Sequence, residues 1–579
     1  MKLSTLLLTL CFPLASFAQT PLTSPKPYQK GKENNNPISP WTFCADPTSV
    51  EYNGRVYVYG TNDQQEWEAN GSDFSKGNSY GAINSLVCMS SADLVNWTIH
   101  PNVEVKKVAT WTGCSWAPSI CSREEADGET HFYLYFANGA SGIGVLTSTS
   151  PTGPWTDPLG KAMIPWGMKG MGDITWLFDP GVVVDENGTG WIAWGGGGGV
   201  HANNAAKGAN EMLDMNTRIA KLNPDMLTIE PENITILPAP YHFEASELNI
   251  IDGKFYYTYS SDFSGDRSRW SSYTNYNKSK AKPAAPGGGE MCYMTSTDPL
   301  NANSWVYEGV CAKNPAAFGM SGGNNHTHLQ KFNNSYYLFY HTSLTEGEIR
   351  KSYSGTEGGY RNIMINKATV EPEKNNITVS MTRTGVTQIK ANRPVITDLQ
   401  EAEMVWNYAG ATYARIQGKG GVFTNVMRFT KSGSWTANRQ TYANEEVKSF
   451  KARLRGKGKM EIRLDDINSA PIATIEFNST SLTEYPVTLS TPFSGLHNIY
   501  FVFTEVASTG NNDFDHWQFF TEDITAISSA TDSDATVKEE YFSLSGVKCN
   551  EKPADGVCIV KRTLANGKQV TEKVAANNQ

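Results

Sequence analysis

The sequence predicts an all-β protein: a five-bladed β-propeller, then a β-sandwich of jelly-roll type, then a short β-rich tail. Three features predict it. Five aromatic-rich runs each follow a turn signal: "NGRVYVYG" from Asn53, "DGETHFYLYF" from Asp127, "NGTGWIAWGG" from Asn187, "DGKFYYTYS" from Asp252 and "NNSYYLFYH" from Asn333. Four of them are trailed by a related unit: "LVCMSSADLVNW", "GVLTSTSPTGPW", "IAKLNPDMLTIE" and "CYMTSTDPLNANSW". The composition, with 51 Gly, 26 Tyr and 15 Trp, suits turn-rich β structure. Each pair of units reads as neighbouring antiparallel strands recurring every ~60–80 residues. Five such sheets around an axis leave only short, protected edges.

At 579 residues the chain exceeds one ordinary core. The boundaries expected are 1–18 for a secretory signal peptide, 19–395 for the propeller, 396–522 for the sandwich and 523–579 for a linker and tail. The signal reading rests on "MKLSTLLLTLCFPLASFAQT": one lysine, an apolar run, and a small-residue site ending at Ala18. No other segment is long and apolar enough to span a membrane as a helix, so the expected location is secreted: periplasm, cell surface or extracellular. Only 18% of residues are charged and the net charge is −9, which argues against a nucleic-acid partner. Setting aside Cys11 leaves an even number of cysteines in a compartment that permits disulfides, and the close pairs are Cys114 with Cys121, Cys292 with Cys311, and Cys549 with Cys558. No cysteine or histidine spacing suggests zinc.

Just upstream of the five aromatic runs stand "ADPTSV", "WAPSI", "FDPGVVV", "FEASELNI" and "NHTHL". The first strand of every propeller blade lines the axis, so equivalent positions converge at one end. That superposition brings together Asp46, Trp116, Asp179, Glu244 and His326. Two separated carboxylates flanking a glycosidic bond serve as general acid and general base, and a third nearby charge keeps the acid protonated near neutral pH. Aromatic faces such as Trp116 suit sugar rings.

Residues from about 37 to 395 resemble glycoside hydrolase family 43, particularly its arabinoxylan arabinofuranohydrolase-like members. The resemblance is carried by "NPISPWTFCADPT", "YFANGASGIGVLTSTSPTGPW", "TWLFDPGVVVDENGTG", "YHFEAS", "GGNNHTHL" and "GGYRNIMINKATV", in that order. It implies an inverting hydrolase of plant polysaccharide that releases α-L-arabinofuranosyl groups from arabinoxylan, with Asp46 as general base, Asp179 as pKa modulator and orienter, and Glu244 as general acid. Arabinan and xylo-oligosaccharides are the related substrates, and a β-xylosidase, an endo-arabinanase or a non-catalytic sugar-binding propeller are the alternatives on one scaffold. The resemblance further implies no organic cofactor, His326 as ligand to a largely hydrated calcium on the axis, and Arg361 in the substrate pocket. Glu247 stands where similar proteins often carry an aromatic, which puts a second carboxylate in the expected sugar pocket.

From "LQEAEMVW" onward, short alternating runs such as "KSFKARLR", "KMEIRLDD", "HNIYFVF" and "FDHWQFF" predict an antiparallel sandwich. The segment resembles carbohydrate-binding module family 6, in which "EAE" and "FDHWQF" supply a structural calcium site; here these imply Glu403 and Asp515, with Glu401 beside them. Tyr485 replaces the usual Trp near "EYPVTLS". "YFSLSGVKC" and "DGVCIVKRTLANGKQV" resemble the C-terminal sorting domains of some exported bacterial proteins.

Overall fold

The computed structural model describes residues 28–172, 174–197, 212–213, 215–263, 267–320, 323–350, 358–387, 395–417, 423–508, 510–525, 536–542, 548–549, 557–564 and 569–575. The expected signal peptide therefore lies outside the described residues. Five antiparallel four-stranded sheets follow one another along the chain. Blade 1 comprises β1 (Ala45–Tyr52), β2 (Arg55–Thr61), β3 (Leu86–Ser91) and β4 (Thr98–Val103). Blade 2 comprises β5 (Trp116–Glu124), β6 (Thr130–Ala137), β7 (Gly142–Ser148) and β8 (Ile164–Pro165). Blade 3 comprises β9 (Gly181–Val184), β10 (Gly190–Trp194), β11 (Arg218–Lys221) and β12 (Thr235–Ile236). Blade 4 comprises β13 (His242–Ile251), β14 (Lys254–Ser261), β15 (Met291–Ser296) and β16 (Val306–Ala312). Blade 5 comprises β17 (Thr327–Phe332), β18 (Ser335–Thr342), β19 (Asn362–Glu371) and β20 (Asn376–Val379). The aromatic runs are the second strands; in blade 5 the third strand arrives only after a long excursion, which hid it from the repeat pattern.

The cores lie between blades. Tyr59 and Leu86 of blade 1 cluster with Phe132 and Leu134 of blade 2, and Tyr135 and Val145 of blade 2 with Trp194 of blade 3. Ile219 of blade 3 meets Tyr257 and Trp305 of blade 4, and Tyr293 of blade 4 meets Tyr340 of blade 5. The ring closes where Phe339 and Ile363 of blade 5 pack on Val56 and Val58 of blade 1, in a cluster that also takes in Met404 and Tyr413 from the second module. Flat aromatic side chains fill these wedges, and the tyrosines among them satisfy their hydroxyls on nearby acceptors, as Tyr135 does on Met226 O at 2.6 Å and Tyr259 on Pro240 O at 2.8 Å. The same packing separates the cysteines. Cys292 faces the blade 3–4 core and Cys311 the blade 4–5 core, and Cys114, Cys121, Cys292 and Cys311 are all free thiols, correcting the disulfides read from proximity in sequence. The third expected pair, Cys549 with Cys558, involves a side chain that lies outside the described residues.

A short helix, α1 (Asp63–Ala69), leaves β2 and carries the chain to the second module's side of the propeller. That module is a sandwich of β21 (Gln400–Glu401), β22 (Asn407–Ala409), β23 (Ala411–Gln417), β24 (Phe423–Phe429), β25 (Ser434–Leu464), β26 (Ala473–Thr504) and β27 (Asn512–Phe520). The runs "KSFKARLR" and "KMEIRLDD", expected as separate strands, are parts of the single bent ribbon β25, which pairs β26 through repeated register shifts. The tail forms a four-stranded sheet of β28 (Thr536–Phe542), β29 (Lys548–Cys549), β30 (Val557–Leu564) and β31 (Gln569–Ala575).

One irregularity recurs at the head of the inner strands. In blade 1, Ala45 pairs Thr61 and Thr48 pairs Tyr59, so the inner strand spends one residue more than its partner. Trp116 and Ser119 do the same against Ala137 and Tyr135, and Glu244 and Glu247 against Ser260 and Thr258. These are β-bulges, and they re-aim side chains. The extra residue lies at positive φ: 49° at Asp46, 37° at Ala117 and 66° at Ala245, with Asp179 at 47° just ahead of β9. Each is a non-glycine in a sparsely populated region, a strain of about 1–3 kcal/mol that persists at functional sites.

Gly181, the first residue of β9, marks how closely the inner strands approach. A Cβ there would stand 2.6 Å from Glu247 Cα and 2.6 Å from Ser246 O in blade 4. Gly181→Ala is expected to force blades 3 and 4 apart, costing about 1–3 kcal/mol. Thermal unfolding should register the loss.

Candidate active site

The bulge positions equivalent in space are Asp46, Ala117, Asp179 and Ala245, because each carries the positive φ at the same point of its blade. The superposition expected from the motifs is thus corrected by one residue in two places. Trp116 and Glu244 stand one residue ahead of the bulge. His326 keeps the Asp46 position when both strands are counted back from their hairpin turns, since His328 pairs Phe339 as Thr48 pairs Tyr59. The acids still gather, and what joins them is the bulge's own freed N–H. That of Asp46 is accepted by His341 Nδ1 at 3.0 Å, that of Ala117 by Thr61 Oγ1 at 2.8 Å, and that of Ala245 by Asp179 Oδ2 at 2.8 Å. In each case the acceptor belongs to the preceding blade.

Asp46 is 7% exposed and held on both oxygens. Thr61 Oγ1 donates to Oδ2 at 2.7 Å and Arg361 Nη1 to Oδ1 at 2.8 Å. Burial on its own would push the Asp46 carboxyl up, but the Arg361 guanidinium, then His341 and His326, hold it well below the usual carboxylate range. It is the ionised member of the site. Asp179 is shifted the other way: burial, then the charge of Asp46, push its carboxyl up to about 7. Glu244 is raised well above its ordinary value by burial, then by Asp179 and Asp46. Asp179 and Glu244 titrate as a pair, and repulsion keeps a proton on it near neutral pH. Glu244 is half-buried and lines a cleft of 380 Å³ together with Tyr80, Phe243, Asn324, His341 and Arg361.

Arg361, 4% exposed, divides its donors between two acids. Its backbone N–H, Nε and Nη2 all donate to the Asp63 carboxylate at 3.0, 2.9 and 2.9 Å, leaving Nη1 for Asp46. Its guanidinium also lies 5.2 Å from the ring centre of Tyr80, whose carbonyl accepts Trp116 Nε1–H at 3.0 Å. Trp116 thus backs the cleft wall through Tyr80. Glu247 does not reach the cleft. It is 2% exposed, its Oε1 lies 2.6 Å from His328 Nδ1, and burial raises its carboxyl, so the expected sugar contact there is corrected. The physical reason is the bulge, which turns Glu247 into register with Thr258 and toward blade 5.

His326 is buried, with Nδ1 3.7 Å from Asp46 Oδ1, and burial lowers its pKa to about 4, so the ring is neutral. It offers a ring nitrogen, but among the described residues no group of three ligating side chains forms around it. Such a group does form in the sandwich, from Glu401, Asp515 and His516. β21 pairs β27 there, with Glu401 opposite His516. Burial, then Asp515, push Glu401 up to about 7, and burial, then Glu401, raise Glu403 well above its ordinary value. Glu403 is 2% exposed and its Oε2 has no hydrogen-bond partner. Arg453 and His516 answer Asp515 at 2.9 and 3.1 Å. Crowded, buried carboxylate oxygens with one orphaned atom fit a hard cation.

Sequence reading missed Asp63, His341, Thr61 and Tyr80. A signal existed for three of them. Thr61 and His341 both close an aromatic second strand, and Asp63 follows Asn62, whose side chain caps α1 by accepting Gln65 N–H at 3.2 Å. Tyr80 lies in a loop with no periodic cue.

Residues 34–343 match the family described as Glycosyl hydrolases family 43. An arabinoxylan arabinofuranohydrolase of Bacillus subtilis (strain 168) is 35% identical over 504 residues, spanning 84% of this chain and 92% of the relative. One from Paenibacillus polymyxa is 34% identical over 511 residues, spanning 85% of this chain and 75% of the relative. The crystal structure of a glycoside hydrolase family 43 arabinoxylan arabinofuranohydrolase from Bacillus subtilis in complex with cellotetraose superposes with a TM-score of 0.70 at 34% identity, covering 86% of this chain and 99% of that one.

The raised carboxyls make the site a stability liability with a definite sign. A folded-state pKa above the unfolded value means the native state binds more protons, so stability falls as pH rises from about 4 toward about 7 for Asp179. Asp179→Asn and Glu244→Gln are each expected to stabilise the protein at pH 7 by on the order of 1–3 kcal/mol, with the gain vanishing near pH 4. Thermal unfolding at the two pH values checks this; equal shifts at both would show that charge is not the cause.

Proposed function

The chain belongs to glycosyl hydrolases family 43, and from that premise we infer that it is an arabinoxylan arabinofuranohydrolase acting by direct attack of water. The observation that carries the mechanism is the split in proton affinity within one channel mouth: Asp46 held far below the ordinary carboxylate range, Glu244 far above it. Asp46 is ionised and accepts a proton from water as general base. Glu244, protonated and facing the cleft, donates to the leaving oxygen of the xylan backbone. Asp179 sustains that protonation by charge, and by accepting Ala245 N–H it fixes the bulge that aims Glu244. Arg361 neutralises Asp46 and presents its guanidinium to the cleft. No step calls for an organic cofactor.

The calcium reading belongs to the sandwich, where Glu401, Glu403 and Asp515 would hold the ion. Bound there, it would neutralise three crowded carboxylates and tie the module's first strand to its last. The signal-like N-terminus supports export, and the sandwich serves as a carbohydrate-binding module docked on the propeller.

Asp46→Asn and Glu244→Gln are each expected to cut kcat on wheat arabinoxylan by about 10²–10⁴-fold. An activated aryl arabinofuranoside needs little leaving-group protonation, so it should restore much of the loss in Glu244→Gln and none in Asp46→Asn. Early NMR spectra should show arabinose released with inverted configuration; a retained product would exclude single displacement. Release of xylose from xylo-oligosaccharides in place of arabinose would favour a β-xylosidase.

For the cation, EDTA should lower the Tm of the wild-type protein and calcium restore it. Glu403→Gln should unfold at a temperature indifferent to both. A wild-type Tm unmoved by EDTA would remove calcium from the sandwich.

A further inference from the structure

Asp63 is a buried ionisable group that the reaction scheme leaves unused. It is 0% exposed, and its carboxylate accepts three hydrogen bonds, all from Arg361. The two side-chain bonds form a parallel fork that fixes the guanidinium plane as well as its position. With Nε and Nη2 committed, the one donor aimed at Asp46 Oδ1 is Nη1, at 2.8 Å. Asp63 itself does not move. It opens α1 behind the cap of Asn62, and the next residue, Gln64, is tied on both sides to Phe43: its N–H donates to Phe43 O at 2.9 Å, and its Oε1 accepts Phe43 N–H at 3.3 Å. Arg361 is fixed from behind as well, since Glu346 accepts the N–H groups of Gly359 and Tyr360 at 2.9 Å each, and that of Gly358.

Resting on the assignment of Asp46 as base, we propose that Asp63 is the positioning residue of the reaction: it holds Arg361 so that the guanidinium grips Asp46 through one donor and leaves the base its second oxygen. Without the fork, a guanidinium beside a lone carboxylate is free to swing away from it or to chelate both its oxygens. Chelation would displace Thr61 from Oδ2 and block the oxygen that receives the proton; swinging away would strip Asp46 of the charge that keeps it ionised. Asp63 touches neither substrate nor reacting atoms and acts only through Arg361. The ionisable groups facing Asp46 are Arg361, His341 and His326, with Asp179 and Glu244 across the mouth. Of these, only Arg361 contacts Asp63.

The test is a double-mutant cycle on kcat/KM for arabinoxylan. Asp63→Asn keeps the shape and removes the charge and one acceptor oxygen. It is expected to cost about 100-fold in the wild-type background, the scale of a small misplacement of a catalytic group. In an Arg361→Gln background it should cost less than about 3-fold, because the residue it acts through is gone. Additive losses, or full activity in Asp63→Asn, would overturn the proposal. The acid limb of the kcat/KM profile supplies a readout that general destabilisation does not move: it should shift in Asp63→Asn and stay in place in a destabilised control away from the site, Gly144→Ala, whose Cβ would stand 2.4 Å from Phe136 Cζ. If Asp63→Asn fails to fold, Asp63→Glu, which restores the charge with the fork displaced, should fold and show the same non-additivity. An active Asp46→Asn would defeat the assignment of the base itself; an inactive Asp46→Asn with additive Asp63 losses defeats only the role of Asp63.

Discussion

An inner propeller strand has a sheet neighbour on one side only, so the N–H groups of its other edge must find partners elsewhere or remain unsatisfied in a buried place. This chain meets the constraint with side chains from the blade before. Thr48 and Ser119 accept Ile120 N–H and Val182 N–H at 3.1 and 2.9 Å, and one layer higher His341, Thr61 and Asp179 accept the N–H groups freed by the bulges. The ring is thereby stitched blade to blade by the residues that build the reaction centre. Fold closure and site geometry share one set of hydrogen bonds, which ties the aim of Glu244 to the seating of blade 4 on blade 3.

Three carboxylates at one mouth are held in different states by unequal neutralisation. Arg361 touches Asp46 alone among them, so Asp46 keeps its charge, and that charge then bears on Asp179 and Glu244. Burial amplifies both effects, because the field of each charge is poorly screened away from water. Asp46 and the pair Asp179 and Glu244 are thus set apart by one guanidinium and not by differing side-chain chemistry.

The sandwich is docked rather than tethered. Trp41 stacks on Tyr413 with ring centres 5.1 Å apart, Thr98 Oγ1 donates to Leu399 O at 3.1 Å, and Arg55 pairs with Asp398. Helix α1 meets both modules: Asp63 at its start holds Arg361, and Glu68 in its last turn pairs with Arg415 of β23 at 2.5 Å. The crevice beside it, 570 Å³, is lined by Glu68 from the propeller and by Glu401, Glu403 and Asp515 from the sandwich. The carboxylates of Glu401, Glu403 and Asp515 therefore open on the interface between the two modules.

The blade repeat was legible in the sequence because every blade must present an aromatic second strand to the wedge beside it, and that demand writes a period into the chain. Asp46, Asp179 and Glu244 were legible with it, as acids at the head of that period, whereas the grouping of Glu401, Glu403 and Asp515 was reached only through the family resemblance. The sequence could not by itself determine the one-residue bulge, since an extra residue in a strand leaves no mark in composition or spacing. It is decided by pairing with the second strand and by the N–H acceptors of the neighbouring blade. That single residue separates the cleft-facing Glu244 from the buried Glu247, a separate register shift between β15 and β16 accompanies the division of Cys292 and Cys311 between different cores, and the Arg361–Asp63 fork joins residues 298 positions apart in the chain. Contacts of that range exist only once the ring has closed.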